Sequence, residues 1–144
     1  MQFLINFDKN YNKIIEPYIS YGSNFEEIKL EILNKLDINL DMMNYEKVNR
    51  ETIKGFRMKY HRDNFMVRKV KNEILFLPFN DSKTSKFSLI WYKNEDFTGG
   101  TFQFINSKHI IPKKNMFIFF DSNQIHCVNK QLSGIRIVEL FKFY

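Results

Sequence analysis

Residues Lys59–Phe65 read "KYHRDNF", and the fold turns on whether His61-Arg62-Asp63 is a kinase catalytic loop or part of a metal site. A kinase loop has the form H-R-D-L-x-x-x-N, with a Gly-rich loop and a lysine-bearing strand upstream and D-F-G downstream. Here Asn64 follows the aspartate at once, Arg68 stands where the metal-binding asparagine belongs, and no G-x-G-x-x-G precedes. At 144 residues the chain is also too short for two kinase lobes. The alternative is that His61 and Asp63 are two of three ligands for iron.

The runs around this stretch favour β structure. From about Thr52 onward the chain reads "GFRMKY", "FMVRKV", "ILFLPF", "KFSLIWY", "GTFQFI", "NMFIFF", "IHCVNK" and "IRIVELFKFY", all aromatic and β-branched. Turn-forming clusters such as "NDSKTS", "NEDFTGG", "PKKN" and "LSG" separate several of them. Upstream, the spacing predicts a helix near Lys9–Ser20, ending or kinked at Pro17, and a second over about Asn24–Leu36. In the second, Phe25, Ile28, Ile32, Leu33 and Leu36 form one apolar face, and Ser23 with Glu26 suits a capping box. A polar bridge, "DINLDMMNYEKVNRE", joins the two regimes. The expectation is one domain over 1–144, with 1–50 as mostly helical support and 51–144 as a mainly β core. That core would be a sandwich or partly closed barrel of about eight short strands, with the helices outside one sheet.

Composition narrows the function classes. Sixteen Phe and seven Tyr against five Gly and three Pro indicate a packed aromatic interior and exclude a low-complexity chain. The net charge of +6 is spread along the sequence and favours acidic or nucleic-acid partners only weakly. No run of about 18 apolar residues occurs and the amino-terminal apolar run is too short for a signal peptide, so the expectation is a cytoplasmic protein with no membrane partner. A single cysteine, Cys127, excludes an internal disulfide and any multi-cysteine metal cluster. A bound metal would therefore rest on histidine and carboxylate.

If a strand continues through Tyr60–Asp63, His61 and Asp63 share a face and Arg62 points away. A two-histidine, one-carboxylate triad for non-haem Fe(II) needs one more histidine. The chain has three in all. His109 sits before Pro112 in a basic turn, whereas His126 lies in the strand-like "IHCVNK", which makes His126 the better third ligand. Ten residues later comes Arg136, whose planar guanidinium suits a carboxylate and would be costly to bury without one.

His61-x-Asp63, a distal His126 and a basic Arg136 ten positions on resemble the 2-oxoglutarate and Fe(II)-dependent oxygenases, most closely the prolyl 4-hydroxylase-like branch. The resemblance covers roughly Phe56 to the C-terminus. "LIWYKNEDFTGGTFQF" is similar to that branch's strand–loop–strand, which matches Tyr92 to a tyrosine that shares the cosubstrate's distal carboxylate with the basic residue. "IIPKKNMFIFFDSNQIHCV" is similar to the stretch before the distal histidine. Two departures stand out: Arg136 replaces the lysine of many prolyl 4-hydroxylases, and the long gap from Asp63 to Tyr92 holds "MVRKVKNEILFLPFNDSKTSK", an inserted hairpin.

The resemblance implies a double-stranded β-helix, a jelly roll of two facing sheets with the metal between them. It implies hydroxylation of a side chain, proline foremost, in a peptide or protein substrate. Fe(II), 2-oxoglutarate and molecular oxygen would take part, succinate and carbon dioxide would form, and ascorbate would be an accessory reductant. The competing readings are bland ones residue by residue: an isolated H-x-D as a satisfied polar pair, Tyr92 as core, and Gly99-Gly100 as a turn. His109 and Cys127 read as structural, and Arg68, Lys69 and Lys71 as a solvated face or a lid that steers an acidic peptide or nucleic acid. At the level of function, the rival is a non-enzymatic basic β-shell that binds nucleic acid or an acidic protein. A third reading, nucleobase demethylation, uses the same iron chemistry but lacks a second arginine near the end.

Overall fold

Asn24 starts the helix. Its side chain accepts a hydrogen bond from the Glu27 N–H at 2.8 Å, and α1 runs Phe25–Leu36 until Asp37 closes it in the left-handed conformation. The cap is thus Asn24 and not Ser23, whose hydroxyl instead lies 3.1 Å from the Glu27 carboxylate. An asparagine oxygen reaches the same orphan N–H groups and ranks at least as high as serine in this role. Ile28 and Ile32 are fully buried, each worth roughly 1.5–3 kcal/mol of transfer free energy.

The computed structural model describes residues 16–70, 73–78 and 85–144. The strands in chain order are β1 (Tyr18–Tyr21), β2 (Tyr45–Thr52), β3 (Met58–His61), β4 (Phe65–Val70), β5 (Glu73–Pro78) and β6 (Phe87–Tyr92). They continue with β7 (Phe97–Gly99), β8 (Phe102–Phe104), β9 (Met116–Asp121), β10 (His126–Val128), β11 (Gln131–Gly134) and β12 (Arg136–Phe143). A five-stranded sheet has the order β1-β9-β6-β12-β2, and a three-stranded sheet has the order β3-β10-β8. β11 pairs with β7 and β4 with β5, and every ladder is antiparallel.

Two expectations need correction. The helix read over Lys9–Ser20 has its first part, up to Ile15, outside the described residues, and its end is a strand. Tyr18–Tyr21 alternates half-buried and exposed, a period of two, and Pro17 precedes it where no ladder N–H is required. The polar bridge also contains a strand, β2, which pairs with β12 along its whole length. It occupies the edge of the large sheet and leaves most of its side chains exposed, so its sequence carries no apolar alternation. Of the stretch 1–50 read as mostly helical support, the described part, from residue 16 on, holds β1 and most of β2, both strands of the main sheet.

The central strands β6 and β9 are almost continuously buried because the large sheet is covered on both faces. Phe87, Leu89, Trp91, Phe117, Phe119, Phe141 and Phe143 pack on one face with Ile28 and Ile32. Ile90, Tyr92, Met116, Ile118, Phe120 and Val138 pack on the other with Phe102, Phe104 and Val128. The second core lies between the facing sheets, and the alternate residues of β6, β9 and β12 that line it also frame the site.

Candidate active site

His61 ends β3 and His126 begins β10, and the two are directly opposed in the antiparallel ladder. Strand pairing thus sets their separation, with ring centroids 4.3 Å apart. Asp63 lies just past the end of β3, in a turn and not on the strand. That turn is pinned because the N–H groups of Asp63 and Asn64 both donate to the Ser122 carbonyl, at 2.9 and 3.3 Å. Asp63 Oδ1 comes 3.2 Å from Nε2 of each histidine. One ligand atom from each of the three residues lies within 4.8 Å of the others.

The imidazoles are oriented from behind. Nδ1 of His61 is 2.7 Å from the Lys59 carbonyl, and Nδ1 of His126 is 2.8 Å from the Gln124 carbonyl. A carbonyl only accepts, so Nδ1 carries the hydrogen in both rings, and Nε2 is the atom left to face the shared point. Aromatic packing fixes the buried ring of His126: Phe102 stacks on it at 5.1 Å and 13°, and Phe120 meets it edge-on at 4.8 Å. Burial alone would raise the Asp63 carboxyl, but hydrogen bonds from His126, His61 and Ser88 hold it well below the usual carboxylate range. Burial alone would lower His61, and its bonds to Asp63 and the Lys59 carbonyl outweigh this and raise it. The cluster is a preset donor group of the kind that divalent iron accepts.

From this cluster a cavity of about 280 Å³ runs to Arg136, between apolar walls that include Phe102, Phe120 and Val128. Arg136 is only 2% exposed, and its Nε has no hydrogen-bond partner. Its Nη1 makes one long contact, 3.5 Å to Thr52 Oγ1. No carboxylate among the described residues pairs with it. Tyr92 is fully buried, its hydroxyl is also without a partner, and its ring lies 5.6 Å from the guanidinium carbon. Burial pushes this phenol up, with the Arg136 charge offsetting part of the rise. An unpaired guanidinium costs several kcal/mol to bury, so Arg136 calls for an anion from the cavity that it lines.

Sequence reasoning missed what braces this end. Thr52 opposes Arg136 across the ladder, and its hydroxyl donates to Gln131 Oε1 at 2.7 Å. Gln131 Nε2 in turn donates to the carbonyls of Thr52 and Gly134, at 3.0 and 2.9 Å. The Thr52 hydrogen is thereby committed, and its lone pair is turned toward Arg136. Gly99 and Gly100 have φ of +68° and +62°, a turn conformation that favours glycine, and a Cβ at Gly99 would also collide with the Lys130 carbonyl.

The remaining candidates lie elsewhere. His109 is exposed, with Nδ1 3.0 Å from Thr101 Oγ1. Cys127 is buried and, by strand alternation, faces away from His126. β4 and β5 form a hairpin, as the sequence suggested for that segment. Arg68 and Lys69 fall within β4, whose side chains are not among those described, and Lys71 lies outside the described residues.

The sequence profile of the 2OG-Fe(II) oxygenase superfamily matches residues 44–141. Among solved structures, the chain is similar to a viral collagen prolyl hydroxylase from Paramecium bursaria Chlorella virus-1, crystallised with 2OG. The identity is 20% and the TM-score 0.58, covering 99% of this chain and 87% of that one. It is also similar to a prolyl-4-hydroxylase from Pseudomonas putida, with 16% identity and a TM-score of 0.55, covering 96% of this chain and 75% of that one. At such identities the likeness establishes the fold, a double-stranded β-helix, and leaves the substrate open. Comparison with curated proteins found no match.

Proposed function

Because this chain belongs to the 2OG-Fe(II) oxygenase superfamily, and is therefore a dioxygenase that uses Fe(II) and 2-oxoglutarate, we propose that it hydroxylates a side chain, proline foremost, in a peptide or protein. His61, Asp63 and His126 would hold the iron, and Arg136 with Tyr92 the cosubstrate carboxylate remote from it. We take residues 1–144 as one catalytic domain. When bound, iron, 2-oxoglutarate and molecular oxygen supply the oxidising power, with succinate and carbon dioxide formed alongside the hydroxylated product.

The protein's share is placement and shelter. The histidine Nε2 atoms are preset by the Lys59 and Gln124 carbonyls, so little rearrangement accompanies metal entry. The depressed Asp63 keeps its carboxylate ionised across the working pH range. Arg136 fixes the far end of the cosubstrate, and the phenylalanines around His126 keep water from the reacting end.

One observation carries this reading: a fully buried arginine with an orphaned Nε lines the cavity that the histidine–aspartate cluster also lines, and a fully buried tyrosine lies against its guanidinium. Proline is favoured because the two solved relatives compared above are prolyl hydroxylases. Family membership sets aside the non-enzymatic module, and the aromatic side chains that base stacking would need are largely committed to the two cores. No helix among the described residues is long and apolar enough to cross a membrane.

The test is anaerobic titration with Fe(II) and 2-oxoglutarate, followed by incubation of proline-containing peptides in air. We expect the weak visible charge-transfer band of the chelate, then a peptide mass gain of one oxygen atom. Absence of the band would end the metal and cosubstrate assignment. The band without peptide oxidation would end the proline assignment alone.

A further inference from the structure

We propose a second anion site in this cavity, separate from the Arg136 clamp, in which Arg50 receives an acidic side chain of the peptide substrate. The inference rests on the peptide-hydroxylase reading and deepens it by specifying the charge of the substrate.

Arg50 lies on β2, directly opposite Val138 of β12. Strand alternation places Val48 and Thr52 on the same face, with Arg136 and Leu140 diagonal to it across the ladder. None of these is acidic. The ion pair across the two strands, Lys47 with Glu139 at 3.3 Å, occupies the opposite face and is unavailable to it. Arg50 is half-buried, lines the cavity, and has no carboxylate partner among the described residues.

The charges of the cavity sharpen the point. Its walls carry Arg50, Arg62, Arg136 and Lys142 against one carboxylate, Asp63. A divalent cation, Asp63, a doubly charged cosubstrate and Arg136 together cancel. Arg50 is then left with no anion from the described residues or the cosubstrate. A carboxylate arriving with the substrate supplies the missing charge through a short, charge-assisted contact. A peptide suits the site better than a nucleic acid. Of the phenylalanines that line the cavity, Phe102 and Phe120 are packed on His126, Phe141 on Phe25, and Phe56 against the Arg136 guanidinium, so none of the four is free to stack on a base.

The experiment compares binding of the decapeptides (Pro-Glu)5, (Pro-Gln)5 and (Pro-Lys)5, and of a ten-residue oligothymidylate, by calorimetry. It uses the full chain loaded with Mn(II) and 2-oxoglutarate, as wild type, Arg50→Gln, Arg50→Lys and Arg50→Glu. Wild type should prefer (Pro-Glu)5 over (Pro-Gln)5 by about tenfold or more. Arg50→Gln should erase that preference, Arg50→Lys retain most of it, and Arg50→Glu turn it toward (Pro-Lys)5. Equal affinity of wild type and Arg50→Gln for (Pro-Glu)5, no ranking among the peptides, or tighter binding of the oligothymidylate would each overturn the proposal. The affinity for 2-oxoglutarate is measured on the same samples. If Arg50→Gln loses the cosubstrate instead of the peptide, Arg50 belongs to the clamp and the proposal falls. If wild type binds no 2-oxoglutarate, the parent reading fails while the peptide ranking still decides this one.

Discussion

At the scale of single residues, the chemistry rests on side chains whose environment makes no sense for the protein alone. Arg136 is the clearest case, since breaking a buried charged contact costs about 3–5 kcal/mol. Arg136→Gln should therefore weaken 2-oxoglutarate by about two to three orders of magnitude while leaving metal binding almost unchanged. Arg136→Lys should be milder, because a point charge remains. Tyr92→Phe should be milder still, at about 0.5–1.5 kcal/mol for one hydrogen bond. Anaerobic cosubstrate titration of the three variants checks the order, and equal affinity in wild type and Arg136→Gln would place the clamp elsewhere. His61, Asp63 and His126, which the structure brings together, are proposed from the sequence because few residue types ligate a metal, Arg136 is proposed from its spacing after His126, and Tyr92 only from the family resemblance. Thr52 and Gln131 could not be, since their role depends on a side-chain hydrogen bond between residues 79 positions apart.

At the scale of elements, the helix was legible from the period of its apolar face, and the eight later β runs from their aromatic and β-branched content between turn residues. β2 was not, because an edge strand with both faces largely wet has no such period to display. The helix cap offers a direct check of where local reading stops. The Asn24 oxygen holds the Glu27 N–H, whereas the Ser23 hydroxyl touches only an exposed carboxylate. Asn24→Ala should cost about 1 kcal/mol and Ser23→Ala only a few tenths. Chemical denaturation of both variants measures the difference, and the reverse ranking would restore the capping box expected from Ser23 and Glu26.

For the molecule as a whole, the order β1-β9-β6-β12-β2 lay beyond reach of the sequence, since the partner of a strand is settled by closure of the entire shell. Global stability should carry the imprint of the metal cluster. Asp63 has a depressed folded pKa, so its contribution is present above the unfolded value of about 3.9 and fades as pH falls through the folded one. His61 has a raised folded pKa, so its contribution is complete below about 6.5 and fades as pH rises through the folded value. Metal-free protein should therefore melt at a higher temperature near pH 6 than near pH 8, and added divalent metal should narrow that gap, because neutral imidazole is the binding form. Thermal melts with and without chelator measure both effects, and a flat metal-free profile would mean that the His61–Asp63 contact is absent in solution. The β4–β5 hairpin has a consequence of another kind. It forms a two-stranded sheet of its own, hydrogen-bonded to no other strand among the described residues, yet it begins two residues after Asp63. The ladder that sets His61 against His126 and the pairing of Thr52 with Arg136 therefore share no backbone hydrogen bond with the hairpin among the described residues, so the metal cluster and the arginine draw their alignment from strands whose register the hairpin does not set.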